Sequence, residues 1–472
     1  MWDPILFWND VLLEANRRDH SDAFSSGDQR GPTATSRAFA IVHLAMHDAW
    51  FGLHSAADVP GTYTREALKV TAAALPDARN ASVSAAAHDT LVALYPKLKA
   101  LVDAAQATVA ANGPLNAAGL AFGAKVATEM LRLRDNDGST AATPHVPSNA
   151  KGHHRVDPAN PTQGYLGPAW GRVKHFVVNT DPGLKHIHLA PPPGYGLPDM
   201  FADDAYAQSY VDVLARGRKT GSTRSPDETT SAIFWAYDGA NEIGTPPRLY
   251  NQILCEISEN AGHGPEDNAL LFALANVAMA DAGIDAWHWK YHYDLWRPVL
   301  GIREADASLG PVGTAAKTLK HGDPSWLPLG APKSNQKSAP DFTPNFPAYP
   351  SGHATFGAAM FQVVRMFKGA APALTLANIV YAKRDDVGTG FEFVSDELNG
   401  ATTDSAGVVR PRHRRRFDNI EWAIRENSLS RVRLGVHWDF DGFAPTGTAD
   451  VGGVPLGLEI GRRVSMRGLL QV

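Results

Sequence analysis

Cysteine is nearly absent from this chain of 472 residues, which contains only Cys255. A single thiol excludes an intramolecular disulfide, and it excludes a metal site built from several cysteines. The chain also lacks a Walker loop, a GxGxxG segment before a helix and an HExxH pair, which removes the common nucleotide-binding and zinc-protease sites. The chemistry of this protein must therefore come from other residue types.

Strong charge and long apolar runs are lacking too. The net charge is −5 and charged residues make up 20% of the chain, so we expect neither nucleic acid nor an anionic membrane as partner. No uninterrupted run of about 18 apolar residues is present, so we expect no membrane span. The N-terminal sequence MWDPILFWNDVLLEANRRD has no basic start, which argues against a signal peptide. Cytoplasmic residence is the default expectation, and secretion stays open.

What the sequence does contain is helical periodicity, rich in Ala, Leu and Val. It predicts an all-α protein of two helical bundles, residues 1–220 and 221–472, with the chemistry in the C-terminal bundle. Helices are predicted at 35–53, 81–111, 117–134, 205–214, 268–296 and 353–367. Long segments rich in Pro and Gly lie at 139–165, 191–198, 308–347 and 387–418, and loops of this length usually shape a site. The apolar stretch at residues 5–13 is a candidate interface for a homo-oligomer.

The first of three chemically rich segments is KYHYDLWRP, at residues 290–298. Lys290 and Arg297 are seven residues apart, so on one helix both would face the same way, about 10 Å apart along the axis. Trp287 joins that face, and Pro298 predicts that the helix ends at Arg297. Taken alone, the segment is more typical of an amphipathic helix whose Arg favours the C-terminal dipole.

The second segment is PSGH, directly before an apolar run with helical character. Ser351 offers a hydroxyl, and Gly352 lets a backbone N–H approach a ligand closely. The N–H groups and dipole of a helix N-terminus favour anions, and His353 can move protons near neutral pH. Ordinary helix capping explains this pattern except for the histidine.

The third segment is SRVRLGVHWDFD, at residues 430–441. Arg431 and His437 would diverge by about 120° on one helix, so we expect a break at Leu434-Gly435 and a new helix that begins at His437. Asp441, four residues later, could then hold one imidazole nitrogen and leave the other as a nucleophile or metal ligand. The alternative is a capped helix with a His–Asp pair on the surface.

Together the three segments predict a site for a tetrahedral oxyanion. Lys290, Arg297 and Arg431 bring three fixed cations, and a charge-assisted hydrogen bond contributes roughly 1.5–3 kcal/mol. Such a site can hold a dianion although the net charge of the chain is −5.

The pattern K-x6-RP, then PSGH, then SR-x5-H-x3-D resembles that of the vanadium-dependent haloperoxidases, and this chain meets it at every position. That site is shared with the type 2 phosphatidic acid phosphatases and bacterial acid phosphatases. The segments IFWAYDGANEIGTPPRLYNQI, VAMADAGIDAWHW and FPAYPSGHATFGAA are similar to the chloroperoxidase branch, and the likeness extends from about Trp8 onward. The single thiol suits a protein that meets peroxide, because thiols are oxidised readily.

The resemblance implies vanadate as cofactor and a role for each motif residue. His437 would bind vanadium through an imidazole nitrogen, and His353 would be the acid–base group. Lys290 would also polarise the bound peroxide. The groups expected to hold the vanadate oxygens belong to Lys290, Arg297, Ser351, Gly352 and Arg431.

The resemblance also implies the substrates: hydrogen peroxide, a halide and a small organic acceptor. Phe346 and Trp287 would line the halide pocket, and Phe346 matches the residue that chloroperoxidases carry there, which favours chloride as well as bromide. Asp238, in WAYDGA, would be the carboxylate that hydrogen-bonds His353. The product would be hypohalous acid, which halogenates the acceptor, and the identity of that acceptor is not readable from the sequence.

Two other readings stay open. An acid phosphatase with the same cage would use His437 as nucleophile and His353 to protonate the leaving alcohol. A helical protein that only binds an oxyanion would need neither histidine. Elsewhere, His186 and His188 precede APPPGYG in a loop, and we interpret them as structural.

Overall fold

The computed structural model describes residues 2–24, 27–55, 61–112, 115–178, 186–305, 322–444 and 450–469. Within these residues the chain forms helices α1 (Pro4–Asp19), α2 (Pro32–Phe51), α3 (Leu75–Leu94), α4 (Lys99–Ala111), α5 (Ala117–Arg134), α6 (Asp204–Arg216), α7 (Pro226–Phe234), α8 (Pro246–Ala261), α9 (Pro265–Tyr293), α10 (Pro298–Glu304), α11 (Gly352–Phe367), α12 (Leu376–Val380), α13 (Ile420–Arg433), α14 (Asp439–Gly442) and α15 (Gly453–Arg467). The strands are β1 (Leu53–His54), β2 (Leu68–Lys69), β3 (Phe391–Val394) and β4 (Arg414–Phe417), which form two short pairs. The predicted all-α class is confirmed.

Helix boundaries follow local signals in the sequence. The predicted helix at 117–134 matches α5, which the Asn116 side chain caps by accepting from the Gly119 N–H. The predicted helix at 81–111 is wrong, because it is two helices: the chain leaves helical geometry at Tyr95, directly before Pro96. The predicted helix at 268–296 also ends early, at Tyr293.

One large apolar core extends through most of the described residues, and a small second cluster contains Ala232, Ala236, Leu434 and Val436. The helices α2, α3 and α5 pack on one another, and α11 packs on α13 and α15. The central α9 packs against α2 and also against α11 and α15, so it joins the two groups. It is long and apolar enough to cross a membrane, which our sequence analysis missed, but 94% of its most apolar window is buried, as in a core helix.

Two observations bear on the predicted organisation. The helix α6, which the prediction placed in the first bundle, packs against α10, α13 and α14 of the second half. The boundary near residue 220 remains a prediction. At the N-terminus, Ile5, Trp8 and Leu12 are fully buried, so the stretch at 5–13 turns these side chains into the core of its own chain. They are not available to a partner chain.

The predicted loop at 387–418 contains β3 and β4, which pair antiparallel with Phe391 opposite Phe417. The Arg-rich sequence hides this ribbon, because Arg415 stands where an apolar residue would be expected on the buried face. Its guanidinium is only 1% exposed and donates to Glu426 and Asp227 at 2.6–3.0 Å. Charge pairing thus takes the place of apolar packing at this position.

Candidate active site

The first motif is built on two helices and the turn between them. Lys290 lies in the last turn of α9, Asp294 adopts a left-handed conformation with φ 50°, and Arg297 is the extended residue before α10. The expectation that Lys290 and Arg297 share one helix face is therefore wrong. They approach each other because the chain turns at Asp294 and Pro298 then starts a new helix.

Lys290 is fully buried, and all its N–H groups are used by the backbone. Its ammonium donates to the carbonyls of Pro347 (2.9 Å), Ala348 (3.0 Å) and Pro350 (2.5 Å). Burial, and after it the charge of Arg297, holds the pKa of Lys290 well below its ordinary value. Three carbonyl acceptors use all three N–H groups of an ammonium, and this geometry, rather than the pKa, is the reason to treat Lys290 as a positive charge that also holds the segment before Ser351. A direct hydrogen bond to a ligand would require one of these carbonyls to be released.

Arg297 is also fully buried and is oriented by main-chain acceptors. Its Nε donates to the Phe346 carbonyl at 2.9 Å and its Nη1 to the Val436 carbonyl at 2.8 Å. The same Nη1 lies 2.9 Å from Nε2 of His437. Burial lowers the pKa of Arg297 to about 9. The guanidinium is thus held in one orientation beside His437.

Arg431, in the last turn of α13, pairs with Asp238 at 2.6 Å through its Nη2. Burial raises the pKa of Asp238, and the charge of Arg431 opposes that rise. The expected hydrogen bond from Asp238 to His353 is not formed, because Nε2 of His353 faces the Ala236 carbonyl at 2.5 Å. Asp238 therefore orients Arg431 rather than His353 in this structure.

His437 lies just before α14 rather than opening it, which corrects the expected helix start, while the break at Gly435 is present with φ 73°. Asp441 contacts Nδ1 of His437 at 2.8 Å and accepts from the Trp438 N–H at 3.0 Å. Because Arg297 can only donate, Nε2 of His437 must be an acceptor, so the ring proton is on Nδ1 and points to Asp441. Burial, and then Arg297, lowers the pKa of His437 well below its ordinary value. The ring is neutral, and the lone pair of Nε2, which accepts from Arg297, would bind a ligand once that contact is released.

The PSGH motif begins α11, as expected. Ser351 is the capping residue, and its Oγ accepts from the Ala354 N–H at 3.4 Å. A Cβ on Gly352 would lie 3.3 Å from the Trp287 ring, so a residue with a side chain fits poorly here. His353 donates from Nε2 to Ala236, which leaves Nδ1 as an acceptor. Burial, followed by the charge of Arg431, lowers the pKa of His353 well below its ordinary value, so its ring is a neutral base.

A cavity of about 200 Å³ brings these groups together. The motif residues on its wall are Asp238, Trp287, Phe346, Gly352, His353, Arg431 and His437. Lys290, Arg297 and Ser351 lie buried behind this wall. The rings of Trp287 and Phe346 are 4.8 Å apart and form an apolar side next to the cations. A wider, open groove of about 810 Å³ follows β3 and β4, and none of the predicted site residues lines it.

The donors of this site point to an anionic ligand. Among the described residues, Nη2 of Arg297 and both Nε and Nη1 of Arg431 are buried without a hydrogen-bond partner. Each such group costs about 1–3 kcal/mol or more when left unpaired. Three free guanidinium N–H groups, a helix N-terminus and the lone pair of His437 fit one tetrahedral oxyanion that binds to an imidazole.

Among the cavity residues that sequence reasoning missed are His20, Arg30 and Thr245. Each comes from a segment far from the three motifs along the chain. Thr245 follows the WAYDGA segment by a few residues, and that proximity is the one signal that could have suggested it. His20 directly follows α1 and Arg30 lies two residues before α2, and no local pattern marks them.

A second group of titratable side chains lies outside the cavity. Asp285 of α9 is fully buried, and its Oδ1 accepts from Nε2 of His175 at 2.8 Å and from Nδ1 of His186 at 2.7 Å. The ring of His186 stacks on His288 at 3.6 Å. The structural interpretation of His186 agrees with these contacts, which tie His175 and His186 to α9. His188 is exposed.

Comparisons with known proteins agree with this architecture. A family model described as the vanadium chloroperoxidase N-terminal domain matches residues 2–164, and one described as the VCPO second helical-bundle domain matches residues 270–467. The vanadium chloroperoxidase of Curvularia inaequalis is 32% identical, over 98% of this chain and 90% of its own length.

Two solved structures share the fold. The first bacterial vanadium-dependent iodoperoxidase superposes with a TM-score of 0.67 at 19% identity, over 98% of this chain and 95% of that one. A holo-type bacterial vanadium-dependent chloroperoxidase gives 0.63 at 17% identity, over 92% of each chain. At such identities these two structures support the helical fold alone.

Proposed function

Since this chain belongs to the vanadium chloroperoxidase family, we propose that it oxidises halide with hydrogen peroxide and that the residues around His437 hold its vanadate. The observation that carries the assignment is the cage itself. Arg297 and Arg431 keep buried N–H groups without a partner, and Arg297 lies beside a neutral imidazole whose proton is held on the other ring nitrogen by Asp441. When bound, vanadate supplies a Lewis-acid centre that activates hydrogen peroxide for attack by halide.

The binding roles divide among the residues as follows. Nε2 of His437 would be the one side-chain atom that binds vanadium, and Asp441 keeps that nitrogen unprotonated by holding the proton on Nδ1. Arg297 and Arg431 would donate to the oxyanion in fixed orientations, because their other nitrogens are bound to carbonyls or to Asp238. Lys290, which is buried behind the cavity wall, would add positive charge to the site.

We assign proton transfer to His353. Its Nδ1 accepts a proton from hydrogen peroxide, since its Nε2–H already donates to the Ala236 carbonyl. A positioned base of this kind contributes roughly 10²–10⁴ in rate. The strong lowering of its pKa keeps it unprotonated at neutral pH, so it is ready to accept.

We propose chloride as well as bromide as substrate. Phe346 and Trp287 form a dry wall beside the cations, and the centroid of the Phe346 ring is 5.1 Å from Nζ of Lys290 and 5.0 Å from Cζ of Arg297. Chloride is more strongly hydrated than bromide, so its oxidation depends more on a wall that removes water. A small organic molecule would receive the halogen.

The test is halogenation of monochlorodimedone with hydrogen peroxide, by metal-stripped protein before and after addition of orthovanadate. We expect activity with bromide only after vanadate is added, and loss of that activity in His437→Ala. Arg248→Lys, a buried arginine outside the cavity, is the matched control and should stay active. Hydrolysis of p-nitrophenyl phosphate by the metal-free protein, without any halide oxidation, would instead favour the phosphatase reading.

A further inference from the structure

The main-chain carbonyl of His353, the acid–base residue of the proposed function, is held by two side chains from other helices. His353 is the second residue of α11, and in a regular helix its carbonyl accepts only the N–H of Gly357. Here the hydroxyl of Tyr250, in α8, also donates to it at 2.8 Å. Nδ2 of Asn427, in α13, donates to it at 3.0 Å. Two donors beyond the helical one therefore converge on this oxygen.

The two donors are also bound to each other, and we call Tyr250 and Asn427 the carbonyl clamp. Nδ2 of Asn427 lies 2.9 Å from Oη of Tyr250, and both side chains are fully buried. An amide nitrogen carries two N–H groups, so one serves Tyr250 and the other the His353 carbonyl. The Tyr250 hydroxyl has one proton, and its contact with the His353 carbonyl, at 2.8 Å, is shorter than its contact with Oδ1 of Asn427, at 3.2 Å.

The carbonyl clamp packs directly on the backbone of α11. A Cβ on Gly357 would overlap Nδ2 of Asn427 and would lie 3.1 Å from Oη of Tyr250. Residue 357 must therefore lack a side chain for the clamp to reach its carbonyl. Glycine destabilises a helix interior relative to alanine, so the sequence gives up helix propensity at the position where the clamp needs the space.

The clamp closes a ring of contacts that contains both the acid–base residue and a cation of the cage. At the side chain, Nε2 of His353 donates to the Ala236 carbonyl at 2.5 Å. Two residues later, Asp238 pairs with Arg431 at 2.6 Å. Arg431 lies one helical turn after Asn427 on α13, and Asn427 donates to the His353 carbonyl. The ring and the main chain of His353 are thus both tied to the elements that hold Arg431.

We propose that Tyr250 and Asn427 are positioning residues, which set where Nδ1 of His353 stands relative to the oxyanion cage. The inference rests on the proposed function, in which this nitrogen accepts a proton from hydrogen peroxide. Proton transfer needs the two atoms within about 2.6–3.2 Å, and a misplacement of about 1 Å can lower a rate about 100-fold. Because Nε2 is bound to the Ala236 carbonyl, movement of the His353 main chain turns the ring about that contact and displaces Nδ1.

Tyr250→Phe removes one donor of the clamp and keeps the aromatic ring. In vanadate-loaded protein we expect kcat/KM for hydrogen peroxide to fall roughly tenfold, because the base is misplaced. The value for bromide should stay within about twofold, since halide reacts after His353 has taken its proton. Vanadate affinity, measured by calorimetry on metal-stripped protein, should stay within about threefold, because neither clamp residue lines the cavity. Asn427→Leu removes two donors and should show the same pattern with a larger fall.

Tyr63→Phe is the matched control. Tyr63 is buried, its hydroxyl donates to the Phe176 carbonyl at 3.2 Å, and it does not line the cavity. This variant should lose stability in denaturant unfolding, as Tyr250→Phe does, and keep both values of kcat/KM. Equal falls for peroxide and bromide in Tyr250→Phe, or no fall for peroxide, would overturn the positioning role.

A readout without turnover comes from NMR of metal-free protein labelled with nitrogen-15 in its histidine rings. The His353 signals are identified by their loss in His353→Gln. In Tyr250→Phe the Nε2–H proton of His353 should move upfield, because its hydrogen bond to the Ala236 carbonyl is lengthened, and Tyr63→Phe should leave it in place. An unmoved signal would overturn the proposal. If the signal moves but the parent oxidises no halide, the proposed function fails and the positioning of His353 stands. If halide is oxidised and the signal does not move, the positioning fails alone.

Discussion

Arg297→Lys separates charge from geometry in the anion cage. The substitution keeps a positive charge behind the cavity wall but removes the planar fork that contacts Phe346, Val436 and His437. A lysine ammonium has one nitrogen, so it cannot serve these acceptors and also point a donor at a ligand.

The magnitude follows from the contacts. Losing the donor on Nη2 removes one charge-assisted hydrogen bond to vanadate, worth roughly 1.5–3 kcal/mol, so affinity should fall roughly 10- to 150-fold. The carbonyls of Phe346 and Val436 each lose a buried donor as well, which should lower the free energy of unfolding by roughly 1–3 kcal/mol in total.

Vanadate affinity is measured by calorimetry on metal-stripped protein, and stability by denaturant unfolding of the same samples. Arg248→Lys is the matched control, because Arg248 is buried, donates to the carbonyls of Leu13 and Ile243, and does not line the cavity. It should lose stability but bind vanadate normally. Affinity of Arg297→Lys within threefold of the parent would refute the reasoning, since charge alone would then hold the anion.

Three further predictions concern other parts of the structure. Asp441→Ala should weaken vanadate binding about 10- to 100-fold, because the proton on Nδ1 of His437 loses its acceptor; unchanged affinity in calorimetry would contradict this role. Phe346→His should lower the ratio of chloride to bromide turnover, because a polar ring rehydrates the wall, and an unchanged ratio would remove the basis for chloride. Asp285→Asn should lower the free energy of unfolding in a pH-dependent way. Burial would raise the pKa of Asp285, but His175 and His186 lower it to about 2. Its contribution, roughly 2–3 kcal/mol, is present above the unfolded pKa of about 3.9 and is lost as pH falls towards 2. Unfolding curves of parent and variant should therefore converge in acid, and a difference independent of pH would argue against an ionised Asp285.

The residues that the sequence predicted for the cage lie together, on the wall of one cavity or buried behind it, because the identity and order of the motif residues do not depend on how the chain bends. The sequence was not sufficient to predict where the chain turns between these residues. A spacing of seven fits one helix face well, yet Asp294 turns the chain between Lys290 and Arg297. No helix propensity reveals that a single aspartate will adopt a left-handed conformation.

Long-range contacts account for the other differences. Asp238 was expected to hydrogen-bond His353. Which side chain Asp238 contacts depends on how α13 packs, and in the structure Arg431 of α13 pairs with it instead. His20 and Thr245 reach the cavity only through the packing of distant segments. Arg415 was hidden for a related reason: its carboxylate partners, the buried Glu426 and the exposed Asp227, lie on α13 and at the start of α7.

The segment 346–350 has a consequence for how such an enzyme can change over generations. Lys290 and Arg297 donate hydrogen bonds to its backbone carbonyls, at Phe346, Pro347, Ala348 and Pro350. Every amino acid supplies such a carbonyl. Under the proposed function, mutation at position 346 would therefore replace a surface proposed to meet the halide and keep the carbonyl to which Arg297 donates. Halide preference could then change by single substitutions without a non-functional ancestor in between, which makes this position a natural first choice for directed evolution.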